Sequence, residues 1–91
     1  MTELVFEKNQ RNQTPIPNKG RILYYLKHGD NFACAPMRYA DRETGQKAIE
    51  AYYLTDGVYC WSSDVIYHFE MYNYPLPEQF IAYAQRKMKL H

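Results

Sequence analysis

With 91 residues, 46% of them hydrophobic, and a formal net charge of +1, the chain has room for one modest core and the apolar surface to fill it, which excludes wholesale disorder. Its two cysteines, Cys34 and Cys60, do not form a CxxC and are too few for a disulfide-stapled secreted scaffold, so both read as small core residues in a reducing cytosol. Apolar runs are only a few residues long, against about 20 for a membrane span, so the expectation is a soluble, cytoplasmic domain with no membrane contact.

Residues 1–18 read as a tail. Leu4-Val5-Phe6 is too short for a signal h-region and either adds to a sheet as an edge strand or stays loose; the polar stretch behind it, with Pro15 and Pro17, reads as a tether. Asn18 offers an N-cap to a first helix over about 19–28, in which Ile22, Tyr25 and Leu26 repeat at helical spacing. Gly29 suits a C-terminal cap at positive φ. Asn31 to Ala35 form a short strand ahead of Pro36, and Asp41-Arg42-Glu43-Thr44-Gly45 is a turn or exposed loop.

The clearest signal is a β-hairpin over about 48–61, in which two apolar, aromatic runs flank Asp56-Gly57. A two-residue type I′ turn there sets Thr55 opposite Val58, Leu54 opposite Tyr59, Tyr53 opposite Cys60 and Tyr52 opposite Trp61. Period-two alternation then puts Leu54, Tyr52, Tyr59 and Trp61 on one face, and Ile49, Ala51, Tyr53, Val58 and Cys60 on the other. Both faces are apolar, so helices should cover at least one.

Those helices follow directly. Ser62 or Ser63 caps one over about 63–73, with Asp64 in its first turn, Val65, Phe69 and Tyr72 on its apolar face, and Asn73 and Pro75 ending it. Pro77 starts another over about 77–89, with Phe80, Ile81, Ala84 and Met88 on one side and Arg86, Lys87 and Lys89 at its C-terminal end. The fold class is therefore α+β: a small antiparallel sheet packed with an N-terminal helix and a C-terminal helical pair, in one domain over 19–91.

Chemistry is less visible. His28, His68, His91, Cys34 and Cys60 lack the paired spacings of a metal site, and the four glycines are isolated, so no metal, nucleotide or other cofactor is implied. Cys60, Asp64 and His68 follow at four-residue intervals, which suits a cysteine nucleophile, but nothing nearby supplies an oxyanion hole; a core cysteine beside a solvated Asp/His pair is the reading. No catalytic residue is assigned. Nucleic acid is disfavoured by the near-neutral charge and the absence of a basic stripe.

The distribution of charge says more than its sum. Between Ala48 and Gln85 there is no lysine or arginine, while Glu50, Asp56, Asp64, Glu70 and Glu78 contribute five carboxylates, and seven of the ten tyrosines lie in the same stretch. An acidic surface carrying tyrosines suits a basic protein partner, because carboxylates steer association and phenol rings give rigid contact area. Glu50, Asp56, Asp64 and Glu70 are the expected electrostatic contacts, with Tyr59 and Tyr67 as anchors.

The run from Leu54 to Asp64 contains the pattern TDG-x-Y-x-W-x-S-D, and Tyr72 followed by Leu76-Pro77-Glu78-Gln79-Phe80 gives Y-x-x-x-LP-x-x-F. Across about Arg21 to Tyr83 this resembles a group of small bacterial proteins that are similar in size and style to immunity proteins, which neutralise toxins of bacterial competition systems. The resemblance implies a toxin-neutralising protein, and the charge distribution one that occludes a basic toxin domain such as a nuclease. The alternative is a homodimeric regulatory or structural subunit in which a second copy covers the aromatic hairpin face; a small cysteine-dependent enzyme ranks third.

Overall fold

The computed structural model describes residues 1–88 and has the expected α+β architecture. Strand β1 (Thr2–Glu3) is followed by α1 (Lys19–Lys27), β2 (Asp30–Ala40), β3 (Lys47–Thr55), β4 (Tyr59–Ser62), α2 (Ser63–Tyr72) and α3 (Glu78–Lys87). The sheet order is β1-β4-β3-β2, with β1 parallel to β4 and the other pairs antiparallel, so the expected antiparallel sheet becomes mixed once the N-terminal strand is added. Lys89, expected at the end of the last helix, and His91 lie outside the described residues.

Ile22 and Leu26 of α1, Val65, Ile66 and Phe69 of α2, and Phe80 and Ala84 of α3 close over Leu54 and Trp61 of the sheet, forming the main core. Trp61 is fully buried, and its indole N–H donates to the Leu26 carbonyl at 2.9 Å, which meets the polar requirement of the ring and ties the hairpin to α1. Gly29 serves this contact in an unexpected way. Its φ is not positive, so it is no left-handed cap; a Cβ there would stand 2.8 Å from the Trp61 ring, and glycine is what lets the indole seat. The left-handed residues near helix ends are instead Asn18 and Asn73, each at φ 56°.

The hairpin keeps its faces but changes its pairing. Leu54 pairs with Trp61 and Thr55 with Cys60, two residues away from the expected partners. The cause is the Asp56 carboxylate, which accepts from the N–H groups of Val58 (2.9 Å) and Tyr59 (2.7 Å) and so winds a longer turn, with Gly57 at φ 96°. A shift of two preserves alternation, so Leu54 and Trp61 still share the core face. Where β4 stops, the Ser63 hydroxyl takes over from the ladder: it donates to the Glu50 carbonyl and accepts from the Tyr52 N–H. Ser62 is the N-cap of α2, accepting from Val65 N–H.

Strand β2 is much longer than expected and runs straight through Pro36. Its pairing with β3 shifts register between Asn31 and Ala33 and again between Cys34 and Arg38, and an edge strand with such bulges tolerates a residue without an N–H. Residues 1–18 are tied to the domain along their length. Leu4 is buried in the core, Glu7 N–H donates to the Pro75 carbonyl and Asn12 N–H to that of Asn73, so the segment straps the α2–α3 connection, where Tyr74 and Leu76 are also buried.

Candidate functional site

The six residues expected to meet a partner fall into four neighbourhoods. Glu50 projects from β3, highly exposed, with Arg38 at 3.8 Å. Asp56 sits in the hairpin turn and accepts from the Tyr25 hydroxyl. Burial alone would push its carboxyl up, but this bond and the turn N–H groups outweigh that and hold it below the usual carboxylate range. Tyr59, beside that turn, spends its ring on Phe80 and Tyr83, each with centroids 5.1 Å away. Glu70, on α2, pairs with Lys27 of α1 at 3.0 Å.

Asp64 and Tyr67 belong to the fourth neighbourhood, a polar network around Asp41 that the sequence reading did not contain. Asp41 is only 3% exposed, while Arg42 to Gly45 form the exposed turn expected there. One of its oxygens accepts from the hydroxyls of Tyr67 and Tyr72, both at 2.6 Å, and the other from the N–H groups of Glu43 and Thr44. Burial opposes the charge, and the four donors more than offset it, so the carboxyl is held far below its ordinary range. The same carboxylate raises both phenols, chiefly through those hydrogen bonds. Glu43 next door accepts from Arg11 at 2.7 Å and from Tyr74 at 3.0 Å, and Arg11 also lies over the Tyr72 ring.

Asp64 and His68 are likewise inside the protein, not solvated as expected: His68 is fully buried and Asp64 8% exposed. Arg42 N–H donates to His68 Nε2 at 2.9 Å, which makes that nitrogen the acceptor and puts the ring proton on Nδ1, facing the Asp64 carbonyl at 2.9 Å and its carboxylate at 3.1 Å. The Arg42 guanidinium completes the set at 3.0 Å from Asp64. Neither ring nitrogen is left to take a proton from a thiol, and among the described residues no three His, Cys, Asp or Glu side chains converge as a metal site. This network locks the β2–β3 loop onto α2.

With the carboxylates engaged internally, the open surface lies elsewhere. Strand β2 is the free edge of the sheet, and all its residues except Tyr39 are exposed. Phe32 and Met37 are about half exposed, at 48% and 55%, and Tyr52 stands in water directly across from Cys34. Cys34, Pro36, Met37, Arg38, Lys47 and Tyr52 line an open groove beside the bulge. The expectation of Cys34 as a core residue therefore fails: its thiol is exposed, because β2 has no strand beyond it.

No family model, curated protein or solved structure matches the chain. A long, unpaired strand edge with large apolar side chains beside it is suited to holding another polypeptide by main-chain pairing, with side-chain contacts adding selectivity. Among the described residues no helix is long and apolar enough to cross a membrane.

Proposed function

We propose that this chain works by binding another protein, as a non-catalytic inhibitor of the immunity type, and that its docking element is the β2 edge with the side chains of Phe32, Met37 and Tyr52. One observation carries the reading: eleven consecutive strand residues lie on a free sheet edge, and ten of them are exposed. Exposed edges of this length are normally covered, and β2 is limited only by its bulges and Pro36.

The expected recognition of a basic toxin domain through four carboxylates has to be revised. Asp56, Asp64 and Glu70 already hold Tyr25, Arg42 and Lys27. Of the four, Glu50 is the least engaged, with Arg38 at 3.8 Å, and it stands beside the groove that Arg38 and Lys47 also line. A toxin partner would thus be held by strand pairing and apolar contact more than by an acidic field. The occupied nitrogens of His68 weigh against the cysteine-nucleophile alternative.

The test compares capture of a partner from native lysate by the wild-type chain, by a Phe32→Asp/Met37→Asp variant, and by Glu70→Lys. Loss with the first variant and retention with the second is expected, and the captured protein's activity should fall in stoichiometric titration. Capture undiminished by the β2 variant rejects the proposed surface.

A further inference from the structure

The β2 edge carries its own complement. Between Asp30 and Ala40 there are two charged residues, Asp30 and Arg38, one near each end. When a strand pairs antiparallel with a copy of itself, each register has a centre, and residues equidistant from that centre face each other. Measured along the paired strand β3, Asp30 lies three positions from Cys34 and Arg38 two, so the register centred on Cys34 brings Asp30 within one position of the partner's Arg38, inside the reach of the long guanidinium side chain, and it does so twice. Registers centred near either end instead bring like charges together, which is destabilising in direct cross-strand pairs.

On this basis, and resting on the reading of β2 as the docking element, we infer that the occupant of the edge is a second copy of this chain, paired antiparallel about a two-fold axis through Cys34. The two sheets join into one, with order β1-β4-β3-β2 continued by its mirror sequence of strands. Phe32 lies against the partner's Pro36, so the exposed ring is covered by another. Arg38 is free to take part, since its contact with Glu50 is long at 3.8 Å and both side chains are exposed. Pro36 and the bulge beside it shorten the continuous run of main-chain bonds, which makes the dimer reversible and leaves the edge available to a different protein.

Directly opposed residues in an antiparallel pair have Cα atoms about 4.5–5.5 Å apart, inside the range a disulfide spans. The exposed Cys34 thiols therefore report the register. With added diamide as oxidant, the two thiols give up two electrons and two protons to it and form one S–S bond. Sedimentation of the full chain across the micromolar range is expected to show a reversible dimer. Diamide should link it rapidly in the wild type and in Cys60→Ser, and not in Cys34→Ser. Arg38→Asp should weaken the dimer by roughly tenfold or more, and the charge-swapped Asp30→Arg/Arg38→Asp variant should restore it. An unchanged melting curve confirms that the variants fold.

A monomer at all concentrations overturns the inference; if the β2 variant still loses a captured partner, the docking reading stands without it. A dimer indifferent to both charge variants, or linked through Cys60, also overturns the inference, because the axis would then lie elsewhere.

Discussion

The two halves of the sheet are hydrogen-bonded to each other and differ in almost every other respect. Around Trp61 every group is used: the indole is buried, its N–H is bonded to α1, and Gly29 vacates the space the ring needs. Along β2, one strand away from β3, the side chains stand in water and the outer main-chain edge has no strand beside it. Stability is thus concentrated in β3, β4 and the helices, while β2 is held from one side and by its loop. The domain can accept changes on β2 that it could not accept at Trp61, which is the arrangement a binding surface on a rigid support requires.

This contrast can be tested by substitution. Trp61→Ala should cost the most, about 3–5 kcal/mol in denaturant unfolding, since it empties the centre of the core and leaves the Leu26 carbonyl unpaired. Gly29→Ala comes next, at about 1–3 kcal/mol by the same measurement, because its methyl group collides with the indole.

Asp41→Asn should lower the melting temperature by less than either and change its pH dependence. The folded carboxyl lies below its unfolded value, so its contribution is complete above about pH 4 and is lost as pH falls through the depressed folded value. The gap between wild type and variant should therefore narrow in acid. Tyr67 and Tyr72 titrate above their ordinary value, so their share is present below about pH 10 and is lost as pH rises through the raised values; the variant should lack this alkaline limb too. Thermal melts from pH 2 to 11 would check both signs. Smallest of all, Phe32→Ser/Met37→Ser should leave unfolding within about 0.5 kcal/mol of wild type while abolishing partner capture. A large loss of stability there would erase the distinction between the two halves.

Much of the fold was legible because local chemistry and burial agreed. Ile22 and Leu26 recur at helical spacing and both are buried; Ser62 caps α2, and Asn73 ends it in the left-handed conformation. The hairpin was legible in its faces but not in its pairing, since whether Asp56 turns its carboxylate onto the N–H groups of Val58 and Tyr59 is a choice between two locally acceptable turns. The extent of β2 was hidden by Pro36, whose meaning depends on whether a strand is central or at an edge. The acidic stretch between Ala48 and Gln85 was legible as composition. Its use was not, because Lys27 and Arg42, which answer Glu70 and Asp64, come from outside that stretch.

By itself the sequence determined which segments become helices, which hairpin residues share a face, and that one small core would hold them, for these follow from periodicity, caps and turn residues within a few positions of one another. Tertiary structure alone decided that Asp41 and His68 are buried and bonded, that three of the four predicted carboxylates are engaged within the chain, and that β2 lies at the sheet's edge. Each of those depends on which distant residues meet, and a charge or a strand has no surface role until its neighbours in space are set.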